Sequence, residues 1–139
     1  MEFEALYQAA LAVTAPRKLS AYAEAGAVGA AILTKAGHVY TGVCIDSACS
    51  VGFCAEHAAA AAMLTAGEQE IAKVVAVGYR GNVMPPCGRC REFLSQLAEG
   101  NMEAEVLVRQ DTVLRLRELL PYDWKEAEEE VKRTFETQE

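Results

Sequence analysis

The chain has no basic start leading into a continuous apolar run, so a secretory leader is not expected. No uninterrupted apolar stretch approaches the roughly 20 residues that a bilayer span needs, and a cytoplasmic location with no membrane partner follows. Positive charge is scarce as well: 13 Lys and Arg stand against 20 Asp and Glu, a net charge of −7. The basic residues are scattered, without the stripe that contacts to a phosphate backbone require, and Glu126 to Glu130 adds an acidic run. That composition argues against a nucleic-acid partner and for a small-molecule substrate. Internal repeats, linkers and low-complexity segments are missing too, apart from the charged end of the chain. The five cysteines (Cys44, Cys49, Cys54, Cys87 and Cys90) do not make an even set. An odd count without an export signal argues against a disulfide framework and leaves metal binding or thiol chemistry for some of them.

What is present is an ordinary globular composition, 52% hydrophobic and 24% charged over 139 residues, enough for one domain with a buried core. Phe3, Leu6, Ala10 and Val13 fall at helical spacing between Glu2 and Thr14, with Pro16 beyond. "VGAAILT" and "HVYTGVC" flank "KAG" and predict a hairpin over Val28 to Cys44. "CAEHAAAAAMLTAG" is alanine-rich and predicts a helix that ends at Gly67. "IAKVVAVGY" reads as a buried strand, Gly88 to Leu97 as a helix, "AEVLVRQ" as a further strand and "LRELLPYDW" as a short turn or helix. Helix, hairpin, helix, strand, helix, strand predicts a three-layer α/β/α domain with a mixed central sheet. Residues 1–124 are expected to form a single domain and residues 125–139 an acidic C-terminal helix or tail.

In "VMPPCGRCREF", Cys87 and Cys90 stand one helical turn apart, and Pro86 suits the start of such a helix. A thiol there is easier to ionise, which serves a redox dithiol and a metal site equally. The second element is "CAEH", Cys54 to His57. Residues two apart in mid-helix diverge by roughly 200°, so Cys54 and Glu56 converge only in the first turn, on something off the helix end. The expectation is two helix N-termini aimed at one centre. Three thiolates there leave a fourth tetrahedral position open, the pattern of catalytic zinc, with Glu56 beside it and not needed as a ligand.

"CAE" at 54–56 followed by "PCGRCR" at 86–91 resembles the cytidine deaminase superfamily, whose signature is three zinc ligands and a proton-carrying Glu. "AVGAAILTKAGHVYTGV" looks like its first hairpin and "RELLPYDW" like its C-terminal segment. "PCGRCR" with "ELLP" and a following Trp is similar to the blasticidin S deaminase branch. The resemblance implies Zn²⁺ held by Cys54, Cys87 and Cys90, with Glu56 catalytic. It implies hydrolytic deamination of a cytosine nucleoside, 4-amino to 4-oxo with release of ammonia, and a homotetramer whose sites borrow residues from neighbouring subunits. Arg89 and Arg91 are candidates to offset the thiolate charge. His57, where many relatives carry Arg, is read as a packing or hydrogen-bonding residue.

The resemblance also exposes departures. Cys44 falls where the family has an Asn holding the ribose, and Asp46 where it has a Glu; Cys cannot reproduce a carboxamide's donor and acceptor. Gly26-Ala27 replaces the family's Phe-Pro. Cys44 and Asp46 remain the candidate substrate-binding pair, and a nucleoside antibiotic or another modified aminopyrimidine becomes the alternative substrate. Free Cys44 and Cys49 also suit small buried hydrophobes. Two rivals remain from other classes. A thiol–disulfide oxidoreductase built on "CGRC" leaves Cys54 and Glu56 without a role. A closed structural zinc site needs a fourth protein ligand, for which the nearest histidine is His57.

Overall fold

The computed structural model describes residues 1–130. Helix α1 (Phe3–Val13) is followed by strands β1 (Arg17–Lys18), β2 (Ala23–Thr34) and β3 (Val39–Ser47), helix α2 (Ala55–Thr65), strand β4 (Ile71–Gly78) and helix α3 (Gly88–Gln96). Strands β5 (Glu105–Arg109) and β6 (Thr112–Arg115) and helix α4 (Trp124–Glu130) complete the order, with short 3₁₀ turns at Ala48–Ser50, Glu99–Glu103 and Leu116–Leu119. β2 is the hub of the sheet. It pairs antiparallel with β3 on one side and with β4 on the other, and β1 adds a two-residue pairing at its start. β4 and β5 are parallel, the crossover between them carrying α3, and β6 closes the edge antiparallel to β5. The sheet is therefore mixed, as expected.

Alternation along the central strands builds two cores. Ala31, Leu33, Val75, Val77 and Leu107 face Leu6 and Ala10 of α1. Their neighbours Ala30, Ile32, Val74, Ala76, Val106 and Val108 face Ala55, Ala59, Ala60 and Met63 of α2 and Leu94 of α3. A sheet covered on both faces reads as near-continuous apolar runs, which is why "VGAAILT" and "IAKVVAVG" show little polar alternation. The result is the expected three-layer arrangement, with α1 the one helix on its face among the described residues.

The hairpin is longer than expected at both ends, because β2 continues through Glu24 and Ala25, which pair with Asp46 and Ile45 beyond an irregularity between Ala25 and Gly29. β1 and β6 were not expected. Each is too short and too polar to show a strand pattern, and each forms only because a longer strand offers an edge. α4 begins at Trp124, one residue ahead of the expected C-terminal helix or tail, and runs into it. Trp124 Nε1 donates to Glu92 Oε1 at 2.8 Å and Lys125 Nζ to Ser95 Oγ at 2.9 Å, which ties this end to α3. The rest of that expected segment, 131–139, lies outside the described residues. Among the described residues, no helix is long and apolar enough to cross a membrane.

Candidate metal centre and active site

Two helix starts build the site. Cys54 is the N-cap of α2 and Cys87 the N-cap of α3, both in extended backbone conformation. Cys90 follows one turn into α3, where Arg91 N–H donates to Cys87 O at 3.0 Å. The alanine run that follows Glu56 and His57 propagates α2, and a Schellman turn ends it: Glu68 N–H reaches Met63 O at 3.1 Å and Gly67 N–H reaches Leu64 O at 3.0 Å. α3 starts where the chain, after the turn at Tyr79 to Asn82, returns antiparallel along β4 and arrives at Pro85-Pro86. The crossover connections lay both N-termini against one point, as expected from the motif spacing.

The three thiols meet there. Cys54 Sγ lies 3.5 Å from Cys87 Sγ, which lies 3.6 Å from Cys90 Sγ. Tetrahedral zinc with Zn–S bonds of about 2.3 Å sets its sulfurs about 3.8 Å apart, so the donor set fits the metal in chemistry and in spacing. Cys54, Cys87 and Cys90 are the group of potential ligands that converges within 4.8 Å among the described residues. His57 does not join them, so the structural-site rival lacks its fourth protein ligand, and an open position is the geometry of a catalytic zinc. The redox rival fares no better, since the third thiol stands as close to Cys87 as the CxxC partner does.

Electrostatics around the sulfurs follow from burial and from the helix ends. Burial, the neighbouring thiols and the Glu56 carboxylate push Cys90, 0% exposed, far above the ordinary thiol range. Cys54 is pushed up by burial and by Cys87. Burial also disfavours the Cys87 thiolate, yet the N–H groups of Cys90 and Arg89 and the adjoining thiols hold it below the usual value. That is the effect expected of an N-cap sulfur. Glu56, on the second residue of α2 and only 5% exposed, has its carboxyl raised by burial, with its own backbone N–H and Cys90 working the other way. A buried carboxyl beside an open metal position is suited to carrying protons.

Beside the sulfurs opens a cleft of about 360 Å³ lined by Cys44, Asp46, Ser47, Ser50, Phe53, Cys54 and Arg89, among others. The two expected substrate-binding residues and one expected ligand therefore share a wall. Cys44 Sγ accepts Val28 N–H at 3.2 Å, which turns its thiol toward the sheet. Arg89 is exposed at the rim. Arg91 departs from the charge-balancing role expected of it: its Nε donates to Pro86 O at 2.7 Å and Nη1 to Leu119 O at 3.4 Å, so it clamps the loop ahead of Cys87 onto the C-terminal segment.

Sequence reasoning missed three members of the site. Ser47 Oγ is buried in the cleft wall without a hydrogen-bond partner. Phe53 and Ser50 line the same cleft, from a segment where Cys49 and Ser50 take left-handed backbone (φ 62° and 55°). Only the position of Phe53, immediately before Cys54, offered a signal.

Comparison with known proteins agrees with the geometry. The sequence profile described as the cytidine and deoxycytidylate deaminase zinc-binding region matches residues 3–104. The chain belongs to this family. The cytidine deaminase of Mycobacterium tuberculosis (strain ATCC 25618 / H37Rv) is 34% identical over 96 residues, 68% of this chain and 70% of that protein. The cytidine deaminase of Halalkalibacterium halodurans is 32% identical over 103 residues, 68% of this chain and 74% of that one. The crystal structure of cytidine deaminase from Burkholderia pseudomallei superposes with a TM-score of 0.71 at 32% identity, covering 88% of this chain and 98% of that chain. Membership makes the protein a zinc-dependent hydrolase, with Cys54, Cys87 and Cys90 placed to hold the ion.

Proposed function

We propose that the protein deaminates a cytosine nucleoside by hydrolysis, replacing the 4-amino group by oxygen from water and releasing ammonia. The convergence of three thiols on one open position, with a buried Glu56 beside it and a nucleoside-sized cleft in front, carries this reading. Zinc in such a site lowers the pKa of a bound water toward about 7 and supplies charge where the ring carbon turns tetrahedral. Glu56 does the proton work. It takes a proton from the attacking water and delivers it to the ring nitrogen next to the amine, then takes the proton left on the newly added hydroxyl and delivers it to the departing amine. One carboxylate serves each transfer in turn, and its burial keeps the protonated form accessible. Three thiolates and Zn²⁺ carry a net charge of −1. The N-termini of α2 and α3 and the rim guanidinium of Arg89 offset it. The Glu56→Gln variant should hold stoichiometric zinc while ammonia release falls by about 10²–10⁴-fold. Near-normal turnover in a zinc-loaded variant would exclude Glu56 as the proton carrier.

Asp46, exposed on the cleft wall, is the carboxylate that faces the sugar side of the substrate in this reading, while Cys44 is turned to Val28 and the Ser47 hydroxyl is buried. The missing carboxamide favours a second reading, a modified cytosine nucleoside or nucleoside antibiotic. A panel of cytidine, deoxycytidine, cytosine, 5-substituted forms and blasticidin S, read by ammonia release, separates the two. Residues 1–124 form the catalytic unit in this reading. The apolar outer face of α2, with Ala61, Ala62 and Leu64 exposed, supports assembly into a homotetramer. Five free cysteines suit the reducing cytoplasm.

A further inference from the structure

His57 is left over by the proton-transfer reading, yet the fold holds it in one orientation. Its ring lies flat on Phe93 of α3, centroids 4.2 Å apart and planes 11° from parallel. Phe93 itself sits one turn beyond Cys90, so the stack fixes the imidazole relative to that cysteine. In this position Nδ1 is 3.4 Å from Cys90 Sγ. Cys90 differs from the other two ligands: it is fully buried, whereas Cys54 is half-buried and Cys87 exposed. Water can solvate a thiolate at Cys87, but a buried thiolate at Cys90 needs a protein donor or bears the full desolvation penalty. His57 Nδ1 is the side-chain nitrogen facing it, and His57 lies outside the converging ligand set.

We propose that His57 is a positioning residue for the metal: Nδ1–H donates to the Cys90 thiolate, which orients that sulfur and draws charge from it, making the bound zinc a stronger Lewis acid. The inference rests on the zinc reading of the three cysteines. A donor of this kind beyond the ligands holds ligand geometry and tunes the metal, and its loss typically weakens metal affinity by about 10–100-fold. Phe93 completes the device by keeping the imidazole from rotating away.

The test uses the purified full chain loaded with Zn²⁺ or Co²⁺. His57→Phe keeps a flat ring on Phe93 and removes the donor; His57→Gln keeps an N–H donor without the ring. In His57→Phe, zinc affinity should fall by about 10–100-fold against a competing chelator, and the sulfur-to-cobalt charge-transfer band should move to longer wavelength. In His57→Gln the band should stay near that of the unaltered protein. An unchanged affinity or band in His57→Phe overturns the proposal, and so does an equal shift in both variants, which would mean packing and not hydrogen bonding. A chain that binds neither metal removes the zinc reading itself and the inference with it. Should either variant fail to fold, nitrogen NMR on the unaltered cadmium-loaded protein decides. With two histidines in the sequence, His38→Asn assigns the signals. A protonated Nδ1 on His57 supports the donor role, and a bare Nδ1 overturns it.

Discussion

Cys54, Cys87 and Cys90 share a centre but differ in exposure, and the difference follows from their places on the helices. N-cap residues project off the helix end and keep access to solvent, whereas Cys90, in the first turn, is closed in between α2 and α3. Zinc therefore clips two helix ends that the chain joins only through a strand and a long turn. Removing it should loosen the protein as well as silence it. At free zinc 100–1,000 times its dissociation constant, binding contributes about 3–4 kcal/mol of stability. Chelation should thus lower the unfolding midpoint, with recovery on adding zinc back. Cys54→Ala, which removes one ligand, should show neither stoichiometric zinc nor a chelator response; a full response would place the metal elsewhere.

Among the elements, α2 matters most, because it carries Cys54 and Glu56 and leans on the hairpin beneath. Gly42 on β3 lets it approach. A Cβ there would collide with the backbone N–H of Ala59 and the side chain of Ala58. Gly42→Ala should cost about 1–3 kcal/mol by overpacking, seen in the urea midpoint, and should reduce turnover by tilting the helix start. At the other end of α2, Glu68 accepts from the Tyr40 hydroxyl and is 2.9 Å from His38 Nδ1, pinning the helix exit to the hairpin. The Tyr40 hydroxyl, with Thr34 next, holds the Glu68 carboxyl below its ordinary 4.5, and Glu68 raises Tyr40 above 10.0. A depressed carboxyl stabilises the fold above 4.5 and loses that contribution as pH falls through its lowered value. A raised phenol stabilises the fold below 10.0 and loses that contribution as pH climbs through its raised value. Tyr40→Phe should therefore be less stable than the unaltered protein at neutral pH, with the gap in urea midpoint narrowing toward both extremes. A gap that stays constant across pH would assign the loss to packing.

At the scale of the whole molecule, the exposed apolar residues of α2 form the surface that assembly would cover. Light scattering should give a mass of about four chains, and Leu64→Glu or Ala62→Glu, both on the outer face, should shift it to smaller species by burying a charge in an apolar contact. A monomeric unaltered protein would remove the tetramer. The net charge of −7 leaves an interface of this neutral composition free to form.

The sequence by itself determined whatever depends on near neighbours along the chain. The Cys87–Cys90 turn, the Cys54–Glu56 convergence at a helix start, the alanine helix and the apolar strands all follow from spacings of a few residues and from propensity. Only the tertiary structure decided the pairings across long stretches: Cys54 with Cys87, His57 with Cys90 and Phe93, Arg91 with Leu119, Cys44 with Val28. The third ligand was legible in advance, from the two helix starts expected to aim at one centre and from the family motif, but its distance from Cys87 was not. His57 could be read no further than as a packing or hydrogen-bonding residue, and Arg91 was read toward the thiolates. The physical reason is that a side chain's acceptor is chosen by whichever polar group the packed helices bring within about 3 Å, and local sequence carries no measure of that distance.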